Sequence, residues 1–274
     1  MKKHTRKCWQ LFFTYFWRMA KTVLITGSTS GIGLAIAKAY ASQGNNIVFN
    51  GLEPNGAEIA KQVADDYSIQ HIFSPANMLQ PDAIKQMVAD AETKFGGVDI
   101  LINNAGIQFV SPIEDFPAEK WDAIIGINLT AAFHTTQAVW KGMKARGWGR
   151  IINIASAHGL IASEFKSAYV ASKHGIIGFT KTIALEGAPF GITANSICPG
   201  YVHTPIIDKQ IGDQMKAHNM SREDVIEKIM LDKQALKEFI PVEAIAQAAI
   251  YLSSDSAAQI TGIALPIEGG WSAQ

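Results

Sequence analysis

"TVLITGSTSGIGLAIAKAY", residues 22–40, passes from a β-branched apolar run through Gly27, Gly31 and Gly33 into a stretch of helical period. Glycines let a backbone turn tightly and come close to a ligand. A helix N-terminus adds free N–H groups at the positive end of its dipole. Glycines also serve plain helix–strand packing, so the pattern gains meaning from its place, opening a strand–turn–helix unit at the first strand. It reads as a nucleotide site, with the spacing G-x-x-x-G-x-G.

Outward from this stretch, short β-branched runs alternate with longer segments of helical period. Runs at 46–50, 70–74, 98–103, 149–156, 192–197 and 262–267 join 22–26 as strands, and most are continuously apolar. That is the composition of parallel strands covered on both faces. Helical segments near 31–43, 54–67, 81–95, 119–145, 165–188 and 241–253 lie between them. The alternation specifies an α/β fold, a doubly wound parallel sheet of about seven strands. There is no internal repeat and no linker, so residues 21–274 are expected to form one domain. Residues 203–240 are polar and helical in period, and read as a helical flap over one sheet edge of the kind that closes over ligands.

The chain has 274 residues, 48% hydrophobic and 18% charged, with no net formal charge. This is an ordinary globular composition without a nucleic-acid footprint. Cys8 and Cys198 are far apart, which argues against a disulfide framework and for a reducing cytoplasm. Residues 1–20, "MKKHTRKCWQLFFTYFWRMA", are basic and then aromatic. They are too short to span a bilayer and lack a small-residue cleavage site. The expectation is an extension outside the folded domain, with Met19 as the effective start. An interfacial anchor is the alternative. His71, His134, His174, His203 and His218 show no ligand spacing, so no metal site is expected.

Two sites carry chemistry. Tyr169 and Lys173, in "SAYVASKHG", are neighbours on a helix surface. A phenol titrates near ~10, and an adjacent ammonium favours the phenolate and brings it toward working pH. Ser156 ends the strand run 149–156, where side chains project into a ligand crevice. Asn128 lies in the long central helical segment, where a buried polar group needs a partner. "LINNAG", 101–106, would line the other side of the crevice. For the cofactor, the end of the second strand reads "FNGLEPNG", with Asn50, Gly51 and Leu52 where a charged discriminator normally stands. Lys38 is the one basic residue between Thr22 and Ala60. The missing cations favour NAD over its 2′-phosphorylated form. Glu53 either reaches the ribose hydroxyls or is a solvated loop residue.

These motifs together, T-G-x-x-x-G-x-G at 26–33, N-N-A-G at 103–106, Asn128, Ser156, Y-x-x-x-K at 169–173 and P-G at 199–200, resemble the short-chain dehydrogenase/reductase family from residue 22 to 272. The resemblance implies a Rossmann-like sheet and a homotetramer. It implies Tyr169 as acid/base, Ser156 orienting the reacting oxygen, and Lys173 holding the nicotinamide ribose and tuning Tyr169. Asn128 would fix a relay water. It implies cofactor contacts from Gly27, Thr29, Ser30, Gly31, Ile32, Gly33, Asn104, Ala105, Gly106, Pro199, Gly200, Val202 and Thr204. Asn77-Met78 stands where the family shows Asp and an aliphatic residue, which implies an altered adenine contact.

Within that family, stretches such as "NNAGIQ", "KSAYVASKHG" and "GGW" resemble the bacterial D-3-hydroxybutyrate dehydrogenases. That implies a carboxylate clamp of Gln108, His158, Lys166 and Gln210 beside Ser156 and Tyr169. A small hydroxy acid offers little apolar area, so its orientation must come from charge-assisted hydrogen bonds. Trp271 either closes the pocket from a neighbouring subunit or simply packs. Other substrates on the same scaffold, a 3-oxoacyl thioester or a sugar alcohol, stay open, as does a cofactor-sensing protein without catalysis.

Overall fold

A computed structural model of the chain describes residues 20–204, 207–208, 210–212, 215 and 219–273. Seven strands form one parallel sheet: β1 Thr22–Ile25, β2 Asn46–Asn50, β3 His71–Ser74, β4 Ile100–Asn103, β5 Gly149–Ile154, β6 Ile192–Pro199 and β7 Ala264–Ile267. The order β3-β2-β1-β4-β5-β6-β7 reverses direction between β1 and β4, which opens a crevice at the carboxyl ends of those strands.

Continuous apolar strands arise because successive side chains point to opposite faces and both faces are covered. Val23 and Ile25 of β1 pack with Ile47, Phe49, Ile100 and Ile102 against helices α1 (Gly31–Ala41) and α8 (Val242–Ser253). Leu24 points the other way and joins Val48, Leu101 and Ile151. That face is covered by α3 (Pro81–Phe95) and α5 (Ala131–Arg146) through Ile84, Met87, Val139 and Met143. Each such side chain contributes about 1.5–3 kcal/mol on full burial. Local signals set the ends: α3 opens with proline at its first position and stops at Gly96, whose φ of 82° suits glycine.

The central helical segment is not continuous. α4 (Ala118–Ile125) gives way to a π-helical turn over Gly126–Thr130 before α5 begins. The expected flap is only partly helical among the described residues. Its described residues within 207–215 are helical, followed by a short helix α7 (Arg222–Val225) and a π turn (Ile226–Met230), gathered on Ile211, Val225, Met230 and Leu231. The long helix α6 (Ser167–Gly187) carries Tyr169 and Lys173. Helix α2 (Gly56–Tyr67) completes the layers. No helix of the described residues is long and apolar enough to cross a membrane. Residues 1–19 lie outside the described residues.

Candidate active site

The glycine turn after β1 is built for close approach. Gly27 and Gly31 have φ of 60° and 52°, a conformation glycine adopts without strain. A Cβ at Gly33 would stand 2.1 Å from the Gly27 carbonyl oxygen, so only glycine closes this turn. Asn104 braces it, donating from Nδ2 to the Thr26 and Gly27 carbonyls at 2.9 and 2.8 Å. The Asn104 and Ala105 N–H groups both donate to Thr26 Oγ1 at 3.0 Å. Asn50 braces the turn from the other side. Its Oδ1 accepts from the Gly27 N–H at 3.2 Å, and its Nδ2 donates to the Ser74 and Ala76 carbonyls. The residue at the discriminator position is therefore turned inward as a buried hub.

Glu53 takes the outward role that Asn50 leaves. Thr29 Oγ1 donates to Glu53 Oε2 and Ser30 Oγ donates to Oε1, at 3.3 Å for the second. The Thr29 hydroxyl is the main reason its carboxyl is held below the usual carboxylate range. A carboxylate is thus fixed on the glycine turn. Lys38, the one cation of this stretch, is exposed. Helix α1 is preceded by Ser30 at its N-cap with no side-chain cap bond, and has no acidic residue in its first turn, an N-terminus suited to an anion. Thr204, beyond the P-G turn, lies against Gly31, with its Cγ2 3.6 Å from where a Cβ would stand. Ile32 is half-buried against the core and Val202 is buried in a bridge to Ile240. Met78 is buried, and Asn77 uses its Oδ1 to accept from the Leu79 N–H at 2.9 Å, so that acceptor already has a local partner. The cradle fits a dinucleotide pyrophosphate, with the Glu53 carboxylate at its outer end.

The reacting groups gather where β5 ends. Ser156 is buried and its Oγ accepts from the His158 N–H at 3.1 Å. Burial raises the Tyr169 phenol above its ordinary value, and a hydrogen bond with the Ser156 side chain opposes that rise. Lys173 is buried, donates from Nζ to the Ile154 carbonyl at 2.7 Å and is pushed down to about 8 by desolvation. The expected lowering of Tyr169 by Lys173 is not what this arrangement gives. Desolvation of the phenol dominates, because the ammonium faces the Ile154 carbonyl.

Asn128 explains the π turn. Its Oδ1 accepts from the Ile107 N–H at 2.8 Å, and its Nδ2 donates to the Ile107 carbonyl at 3.0 Å and to Ser172 Oγ at 3.1 Å. The wider turn places a polar side chain between β4's following loop and α6. A Cβ at Gly106 would lie 3.3 Å from Asn128 Oδ1 and 3.7 Å from Lys173 Nζ, so these three meet at one point.

Beyond Tyr169 stands an aromatic wall. His158 lies edge-on to Tyr169 at 5.9 Å and to Trp271 at 5.2 Å, and Trp271 stacks on Tyr201 at 5.6 Å and 9°. Trp271 thus packs within its own chain. Burial pushes His158 down to about 4, with Lys166 adding to the effect, and its Nε2 pairs with Ser163 Oγ at 2.8 Å. Lys166 is half-buried at the start of α6 and lowered by burial. His158 is therefore brought to Ser156 and Tyr169, and Lys166 lies close enough for its charge to bear on His158. Gln108 is exposed, one residue after the Ile107 that Asn128 holds. Gln210 is half-buried beside the fully buried Ile211 of the flap. Cys198 is fully buried and its thiol is raised to about 11, as suits a packing residue.

Residues 21–215 match the family described as short chain dehydrogenase. The chain is 55% identical over 258 residues to a Rhizobium meliloti protein named D-beta-hydroxybutyrate dehydrogenase, covering 93% of this chain and 100% of that one. A Cupriavidus necator protein of the same name is 50% identical over 254 residues, covering 93% and 98%. Among solved structures, L-sorbose reductase from Gluconobacter frateurii, complexed with NADPH and L-sorbose, superposes with a TM-score of 0.89 at 29% identity, covering 93% of this chain and 97% of that one. The glycine cradle, the seven-stranded order and these likenesses agree: the chain belongs to the short-chain dehydrogenase family of nicotinamide-dependent oxidoreductases.

Proposed function

We propose that the chain oxidises D-3-hydroxybutyrate to acetoacetate, reversibly, with NAD as the oxidant. The observation that carries this is the convergence of Ser156, Tyr169, His158 and Lys166 at the end of β5. It is supported by the names of two relatives at 55% and 50% identity.

Bound NAD supplies the acceptor for the hydride that leaves the substrate carbinol carbon. Gly27, Thr29, Ser30, Gly31, Gly33, Asn104, Ala105, Gly106 and Thr204 would hold it, with Lys173 toward its nicotinamide ribose. Tyr169 takes the hydroxyl proton as the carbonyl forms and returns it in the reverse direction. Ser156 hydrogen-bonds the same oxygen and fixes it against Tyr169. Lys173 keeps the phenol's surroundings positive, and Asn128 sits beside it on the route by which a proton leaves. Lys166 supplies the charge opposite the substrate carboxylate, with His158 as a neutral hydrogen-bonding partner and Gln108 and Gln210 as further donors. The reading of NAD rather than NADP is supported by the Glu53 carboxylate held on Thr29 and Ser30, since a 2′-phosphate there would bring about −2 of like charge. Exposed apolar side chains such as Phe133 and Leu185 suit burial between copies, in keeping with a tetramer.

The test is formation of reduced cofactor on adding D- or L-3-hydroxybutyrate with NAD or NADP. D-selective turnover with NAD supports the reading. Cofactor binding without turnover of either enantiomer would redirect the substrate to sugars or acyl thioesters.

A further inference from the structure

Gln234 is 1% exposed and lies in the irregular stretch between the π turn at Ile226–Met230 and the bridge residue Ile240. A glutamine is costly to bury unless its amide is paired at both ends. Here it is. Oε1 accepts from the Tyr201 N–H at 3.2 Å, and Nε2 donates to the Leu236 and Glu238 carbonyls, each at 3.2 Å. The same amide occupies the space a Cβ would need at Gly200 and Gly269, standing 2.9 Å from each such position. The Leu236 N–H donates to the Gly269 carbonyl at 2.9 Å alongside.

One side chain therefore ties together three stretches: the turn after β6, the returning limb of the flap and the turn after β7. Two of the three carry the aromatic wall. Tyr201 follows Gly200, and Trp271 follows Gly269 and Gly270. Their stack continues through His158 to Tyr169. Any shift of the Gln234 amide moves the backbone on which one ring of that stack is mounted and the turn that presents the other.

We propose that Gln234 is a positioning residue for substrate length. It acts through Tyr201 and Trp271, holding them as the far wall of the pocket so that a four-carbon hydroxy acid fits and a longer chain is refused. The proposal rests on the hydroxy-acid reading above and deepens it. A pocket wall that discriminates by methylenes changes selectivity by about 10- to 200-fold per group, so a displaced wall has a readable effect.

The experiment compares wild type with Gln234→Leu, which keeps most of the bulk and removes all three hydrogen bonds. The measurements are kcat and KM for D-3-hydroxybutyrate and D-3-hydroxyhexanoate, and NADH affinity by fluorescence titration. The expected result is a fall of about tenfold or more in the four-carbon over six-carbon ratio of kcat/KM, carried by KM. The kcat for the shorter acid and the NADH affinity stay within about threefold. An unchanged ratio with a lowered melting temperature would make Gln234 a structural strut alone and overturn the proposal. Lost NADH affinity with the ratio intact would overturn it too, by placing its action on the cofactor side.

Should Gln234→Leu fail to fold, Tyr201→Leu removes the stack while leaving the Tyr201 N–H bonded to Gln234. It must lower the same ratio, and an unchanged ratio there also overturns the proposal. Wild-type protein inactive on both acids would sink the hydroxy-acid reading and this proposal with it. An active wild type with an indifferent variant would sink this proposal alone.

Discussion

Lys173 and Tyr169 are one helical turn apart, yet the ammonium lies 5.6 Å from the phenol ring centroid and spends its 2.7 Å hydrogen bond on the Ile154 carbonyl. The lysine is thus anchored to the end of β5 rather than to the phenol. Burial depresses it to about 8 from 10.5. Below pH 8 both folded and unfolded chains carry that proton, so the burial penalty is constant. Between pH 8 and 10.5 the unfolded chain binds more protons, and stability rises with pH as the penalty is relieved. Wild type should therefore gain denaturation midpoint relative to Lys173→Met from pH 7.5 to 9.5. Parallel curves would contradict the buried ammonium. Comparing against the variant cancels the buried tyrosines, whose raised values act in the opposite sense.

Tyr169→Phe removes one oxygen and nothing of the packing. Turnover should fall by about 10²- to 10⁴-fold, the usual worth of a positioned acid/base. NADH affinity should stay within about twofold. Stopped-flow reduction of NAD checks both, and near-normal rates would remove Tyr169 from the proton-transfer role.

His158 at about 4, against 6.5 for a free imidazole, stays neutral through the physiological range. The KM for the hydroxy acid should then be flat between pH 5.5 and 8, because Lys166 alone supplies the charge. A tenfold rise in KM on passing through pH 6.5 would mean that imidazolium is the carboxylate's partner. The linkage has a definite sign. The unfolded chain binds the His158 proton between 6.5 and 4, so stability falls as pH drops through that window, and His158→Phe should lose this acid sensitivity.

Glu53→Gln keeps the shape of the side chain and removes its charge. The preference for NAD over NADP in kcat/KM should narrow by roughly tenfold, the size of one unit charge acting at a partly solvated distance. If the preference is unmoved, the carboxylate on Thr29 and Ser30 does not face the ribose.

The sheet was legible because both of its faces are covered, so each strand announced itself as an apolar run and the runs fell within a residue or two of Thr22–Ile25, Asn46–Asn50 and Ile192–Pro199. The Tyr169–Lys173 pair was legible because helical spacing is local. The π turn was not: "GINLT" has nothing unhelical about it, and the extra residue is accommodated because Asn128 finds Ile107 and Ser172 on other elements. Asn50 and Gln234 escaped for the same reason. Each is an ordinary polar residue until the backbone groups of distant segments are brought to it, and no periodicity records which carbonyls will be left over at a strand end. Glu53 was ambiguous between ribose partner and loop residue, and its bonds to Thr29 and Ser30 join it to the glycine turn.

The line of rings from Tyr201 through Trp271 and His158 to Tyr169 is assembled from segments far apart along the chain, and its last member to be synthesised follows β7. Contacts of such long sequence separation close late, after local helices and neighbouring strands have formed. A refolding chain should therefore regain its helical circular dichroism before it regains turnover, and in the interval the Tyr169 helix is present without its wall.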